Sequence, residues 1–196
     1  YGLESLHMGQ EVIKLERKDI ESNKLIKEAK SIHVALLVYG SPLFATTHVS
    51  LVLDARSAGI DVKVIQAASV FDAIGETGLQ LYKFGKIASM PTWTDKYQPD
   101  FLEYVEQNLS IKAHSLLLVD IGLKFEKALA QLEKAAKKRK MEFGKIIVCR
   151  KMGTDWQKVV YGTIESLKYE EVRAPYCFVI PSELHFMEKE FLESLR

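Results

Sequence analysis

The sequence predicts an α/β protein of two lobes, and three observations carry that prediction. Apolar runs of strand length alternate with stretches of helical periodicity. Glycine and proline punctuate the junctions between them. A length of 196 residues, 47% of them hydrophobic, suits two modest lobes that each bury a core. Short buried strands joined by helices favour a parallel sheet in the first lobe, because parallel neighbours need crossover connections.

In chain order, EVIKLE (11–16) reads as a strand and DIESNKLIKEAK (19–30) as a helix with Ile20, Leu25, Ile26 and Ala29 on its apolar side. HVALLVY (33–39) reads as a buried strand opening into the loop GSPLFATTH (40–48). THVSLVLDARSAG follows as a helix, with Thr46 or Thr47 at its start and Gly59 at the position that favours a left-handed C′ residue. IDVKVIQ is the next strand. The segment FDAIGETGLQLYKFGKIASMPTW is a short helix, a turn, a helix and the strand KIASMP, and DFLEYVEQNLSIKA is a helix. A polar connection near Asn108 to Ala113 divides the lobes, residues 1–110 and 111–196. The second lobe runs HSLLLVDI (strand), FEKALAQLEKAAKKRKME (helix), KIIVCR, KVVYG and YCFVI (strands) and FMEKEFLESLR (helix). KKRK (137–140) is a solvated last helical turn, favourable to the helix dipole, rather than a nucleic-acid patch.

Composition narrows the function. With 27 basic and 26 acidic residues the formal charge is +1, so no global field draws the chain to nucleic acid or an anionic membrane. Cys149 and Cys177 lie in apolar runs, as buried thiols of a reducing, cytoplasmic compartment would. No apolar stretch approaches the ~20 residues that span a bilayer. The chain opens on Tyr1, so either a leader has been removed or the sequence begins inside a longer protein. The dinucleotide, P-loop, CxxC and nucleophile-elbow signatures are absent, and His7, His33, His48, His114 and His185 have no metal-ligand spacing. His48 and His185 read as structural. What remains is a set of strand ends, YGSPLFATTH, QAASVF, VDIG and RKMGT, where an α/β sheet lines its ligand crevice. Spacing alone leaves open whether these are ligand loops or ordinary turns.

GSPLFATTH resembles the strand-end motif Gly-Asp-Pro-Leu-x-Ala-Thr-Thr-His of the diphthine synthase family. VIQAASV, TGLQLYKFGKIASMP, HSLLLVDI, GTIESL and VIPSELHFMEKEFLESL resemble that family's later segments in the same order. The resemblance runs from about Gln10 to the C-terminus, and TGLQLYKFG with ELHFMEKEFL sets this branch apart from the tetrapyrrole-precursor methyltransferases. It implies a two-lobed tetrapyrrole-methylase-like fold with a mixed sheet in the second lobe, a homodimer, and S-adenosylmethionine held between the lobes and released as S-adenosylhomocysteine. It also implies a substrate, the 3-amino-3-carboxypropyl-histidine of translation elongation factor 2, whose amine is methylated without a metal. Carried over by position, the cofactor contacts are Ser41, Phe44, Ser69, Val70, Val119, Met152 and Tyr176; the resemblance supplies no general base.

The sequence departs from the family pattern inside that set. Ser41 stands where the family has Asp, Met152-Gly153-Thr154 where it has Ala-Gly-Ser, and Tyr176 where it usually has His. The family's opening Leu-x-x-Gly-Leu-Gly-Leu strand has no counterpart here. Two expectations follow: an active methyltransferase with residues upstream of Tyr1, or a degenerate relative that keeps the fold as a binding or structural protein.

Overall fold

The computed structural model describes Gly9 and residues 12–195. The described residues form two compact units, divided between Ser69 and Val70.

The first unit is helical where the sequence is periodic. The helix expected over 19–30 forms as two, α1 (Arg17–Ile20) and α2 (Lys24–Ala29). Ser22 breaks it: its hydroxyl donates to the Asp19 carbonyl and accepts from the Lys24 N–H, the local bonding by which serine competes with a helix. α3 (His48–Ser57) ends as expected. Gly59 takes φ +73°, its N–H reaches the Arg56 carbonyl, and the Ile60 N–H reaches the Ala55 carbonyl.

The expected strands of this unit are corrected. Residues 12–16, 33–38 and 60–69 carry no strand pairing among the described residues, so no parallel sheet forms there. The burial expected of 33–39 is not found either, since Val34, Leu37 and Tyr39 are exposed, as is Ile65; a strand needs a neighbouring backbone to complete its ladder, which apolar patterning does not report. The 33–38 and 60–67 runs instead line, with α2 and α3, an apolar cavity of about 500 Å³.

The second unit holds a five-stranded mixed sheet in the order β1-β2-β5-β3-β4. Its strands are β1 (Ala88–Met90), β2 (Ser115–Val119), β3 (Ile146–Arg150), β4 (Lys158–Gly162) and β5 (Tyr176–Ile180). β1 and β2 are parallel, and the other pairings are antiparallel. β1, which a lobe division at 110/111 allots to the first lobe, is thus laddered to β2. Alternation sorts the side chains onto two faces. Leu117, Val148, Phe178 and Ile180 join one core with α5 (Glu103–Ser110) and α6 (Phe125–Arg139). Leu116, Ile147, Cys149, Cys177 and Val179 join the other with Ile74, Leu79 and Leu192. Cys149 and Cys177 are buried free thiols directly opposed across β3 and β5. Lys137 and Lys138 are solvated as expected, but Arg139 of the same run is bound to Asp100 and Glu106.

The expected short helix forms as α4 (Val70–Ala73), continued by a 3-10 turn at Ile74–Thr77, whereas the second expected helix is only a 3-10 turn, Leu81–Lys83. TGLQLYKFG is built to clasp the C-terminal helix α8 (Phe186–Ser194). Gly78 sits at φ +73°, and any Cβ there would collide with the Phe191 ring. The Gln80 N–H and the Lys83 ammonium reach Glu188 at 2.9 and 2.6 Å. The His185 N–H reaches it at 2.7 Å and His114 Nε2 at 3.2 Å. The Ser182 N–H donates to His114 Nδ1, which assigns the proton of a neutral imidazole to Nε2. Burial is the largest single influence on the Glu188 carboxyl and raises its pKa; the four donors together outweigh it and hold the group down at about 2. Burial likewise pushes His114 below its ordinary value, against the pull of Glu188.

Glu188→Ala strands Lys83 and His114 without their acceptor, and chemical denaturation should show a loss of about 3–5 kcal/mol. Because the folded pKa lies below the unfolded value, the carboxylate's contribution is present above the unfolded pKa and fades as pH falls toward about 2. Acid unfolding curves of wild type and variant should therefore converge at the acid end.

Candidate functional site

In the first unit, two of the loops singled out by sequence approach one another. Gly40 takes φ +83°, and a Cβ built there lies 3.9 Å from the Ala68 carbonyl oxygen. Ser41 and Ser69, flanking that approach, are each only 8% exposed. Phe44 is 56% exposed. Gly40, Pro42, Leu43 and His48 line the apolar cavity, and His48 Nδ1 bonds to the Pro42 carbonyl at 2.8 Å. That imidazole braces the loop, as the sequence analysis expected.

In the second unit, strand register brings Val119 and Tyr176 to one end of the sheet. Met90 pairs with Val119, Arg150 with Tyr176, and Arg150 with Lys158. Leu118 pairs with Cys177, so Val119 and Tyr176 fall next in register. The end row therefore runs Met90, Val119, Tyr176, Arg150, Lys158 across all five strands. Val119 and Tyr176 pack on the α5/α6 face. Met152, two residues past β3 on its hairpin, packs on the opposite face, as does Val70.

The Tyr176 side chain is occupied within the fold. Its hydroxyl donates to the Leu123 carbonyl at 2.8 Å, and its ring meets Phe125 and Phe178 edge-on. Burial pushes its phenol far above the ordinary range. His185 is the N-cap of α8, accepting from the Met187 N–H through Nδ1. Sequence reasoning passed over Asp120 and Thr92. Asp120 directly follows Val119, and one of its carboxylate oxygens accepts from the Thr92 N–H at 3.2 Å and the Thr92 hydroxyl at 2.8 Å. Its position one residue beyond a strand end was the available signal.

The mixed sheet flanked by helices, with loops leaving the carboxyl ends of the parallel pair β1 and β2, defines an α/β fold of the kind that binds ligands beyond its strand ends. Residues 4–168 match the tetrapyrrole (corrin/porphyrin) methylases, and the chain belongs to that family, in its diphthine synthase branch of S-adenosylmethionine-dependent methyltransferases. It is 38% identical over 204 residues to the diphthine synthase of Methanocaldococcus jannaschii, covering 96% of this chain and 79% of that one. It is also 38% identical over 196 residues to the diphthine synthase of Methanococcus maripaludis, covering 94% and 77%. A crystal structure of diphthine synthase superposes with a TM-score of 0.83 at 33% identity, covering 95% of this chain and 76% of that one.

Each unit, taken by itself, carries groups of the kind S-adenosylmethionine needs. Ser41 and Ser69 offer buried hydroxyls beside the Gly40 turn. Val119 and Met152 offer half-buried apolar surface. In the end row, Arg150 Nε is a buried donor without a partner among the described residues, a complement to a carboxylate. No group of three or more His, Cys, Asp or Glu side chains suited to a metal occurs among the described residues, and no described helix is long and apolar enough to cross a membrane.

Tyr176→Phe removes the bond to Leu123 but keeps the ring contacts. Thermal unfolding should show a loss of about 1 kcal/mol, and calorimetry an unchanged affinity for S-adenosylmethionine. A fall in affinity at constant stability would instead assign the hydroxyl to the ligand.

Proposed function

We propose that this protein is a diphthine synthase acting on translation elongation factor 2, methylating the amine of its 3-amino-3-carboxypropyl-histidine and releasing S-adenosylhomocysteine. The observation that carries this reading is the likeness to diphthine synthases at 38% identity over 96% of the chain. It is supported by the clasp between TGLQLYKFG and α8, which accounts for the two motifs that set this branch apart.

The bound cofactor supplies a methyl group on a sulfonium, transferred in line to a nucleophilic amine. The chain's task is alignment and exclusion of water. Ser41, Phe44 and Ser69 of the first unit and Val70, Val119, Met152 and Tyr176 of the second are the proposed cofactor contacts. Val119 and Met152 present apolar surface, which suits a sulfonium whose charge disperses as the reaction proceeds. The proposal extends to lobes divided at 110/111, a homodimer and a cytoplasmic location. The degenerate reading draws on Ser41, Met152, Thr154 and Tyr176, where the chain departs from the family pattern.

Ser41 keeps an acceptor oxygen but lacks the charge of the family's Asp. Restoring it with Ser41→Asp should tighten S-adenosylmethionine binding by about 1 kcal/mol, several-fold in Kd by titration calorimetry. Binding by neither protein would overturn the enzyme reading in favour of the degenerate one. Binding without a gain would remove the Ser41 side chain from the contact set.

A further inference from the structure

We propose that Asp120 is the carboxylate that receives the substrate's amino group, a catalytic residue that none of the carried-over contacts includes. The inference rests on the methyltransferase reading above and names which group of this chain meets the nucleophile.

Four observations carry it. Asp120 stands one residue beyond Val119, at the carboxyl end of the parallel pair β1 and β2, where a sheet of this kind meets its ligand. Its backbone is fixed on both sides: its N–H donates to the Met90 carbonyl at 3.0 Å, and its carbonyl accepts from the Leu123 N–H at 3.2 Å. Its carboxylate is oriented through Oδ2 by both donors of Thr92, from the loop that follows β1. The residue is solvent-exposed, and Oδ1 has no hydrogen-bond partner among the described residues. A carboxylate held by one oxygen and open at the other can dock an N–H donor with little reorganisation.

The chemistry calls for a negative charge at this place. The substrate amine arrives as an ammonium, loses a proton to water, and attacks as the free base. The new C–N bond forms as the S–C bond breaks, its electron pair staying on sulfur. Positive charge passes from sulfur to nitrogen, and the product is a methylated ammonium. Asp120 Oδ1 accepts an N–H of the amine, aims its lone pair and stabilises the cation developing on nitrogen. The same charge favours the ammonium before reaction, so it raises the pH at which the amine becomes available.

The test compares wild type, Asp120→Asn and Asp120→Glu. Its readouts are melting temperature, calorimetric affinity for S-adenosylmethionine, cofactor-free affinity for elongation factor 2 bearing the 3-amino-3-carboxypropyl-histidine, and transfer rate against pH. Asp120→Asn should leave the melting temperature unchanged and the affinity for S-adenosylmethionine within about twofold of wild type, weaken substrate binding about tenfold, and slow transfer roughly 10²-fold. It should also move the rising limb of the pH profile to lower pH, and Asp120→Glu should restore part of the rate. An unchanged substrate affinity with an unchanged pH profile would overturn the assignment. So would a rate loss that merely follows a lowered melting temperature, which would make Asp120 a brace for the Thr92 loop. A wild-type protein that binds no S-adenosylmethionine would overturn the methyltransferase reading itself, and this inference with it.

Discussion

Glu188 is the constraint on which the second unit depends. Its carboxylate lies almost completely out of water, a position that is costly unless every lone pair is used. Donors from two distant stretches meet it, Gln80 with Lys83 and then His114, together with His185 at the cap of its own helix. Each donor is positioned by something else. The Gly78 turn admits Phe191, the Phe84 ring packs against His114 at 5.5 Å, and the Ser182 N–H fixes the imidazole tautomer. A buried ion pair is weak evidence of net stability against an apolar substitute, but removing one partner exposes the full desolvation cost of the others. The network therefore fixes one arrangement of residues 77–85 against α8 and against the start of β2.

That arrangement sets the sheet and, through the sheet, the candidate site. Backbone bonds between Lys83, Gly85 and His114 deliver the chain into β1 beside β2. Asn108 bonds the Lys86 backbone through both ends of its amide and also reaches the Ser115 hydroxyl, tying the end of α5 to the same two strands. With β1 and β2 in register, Met90 lies beside Val119, and the antiparallel pairings carry the end row on to Tyr176 and Arg150. The Thr92 and Asp120 loops emerge together because their strands are parallel neighbours.

Legibility in the sequence follows from this construction. α6 was readable because its buried positions, Phe125, Ala128, Leu129, Leu132, Ala135 and Ala136, recur at helical spacing. β2, β3 and β5 were readable as apolar runs because both of their faces are covered. The same signal failed at 33–38 and 60–69, where apolar side chains line a cavity but no ladder forms among the described residues. α7 (Ile164–Leu167) escaped notice because a single turn started by the Thr163 cap has no period to read. The site was legible mainly through resemblance. Val119 and Tyr176 are ordinary strand residues until register sets them side by side, and Asp120 declares itself only once Thr92, 28 residues away in sequence, is seen to hold it.

The most direct test of the account is a crystal structure of the protein with S-adenosylhomocysteine. The account predicts ligand density at the end of the sheet marked by Val119 and Tyr176, with Glu188 still holding its four donors. Density at the opposite end of the sheet, or a ligand contacting none of Ser41, Ser69, Val119 and Met152, would contradict it.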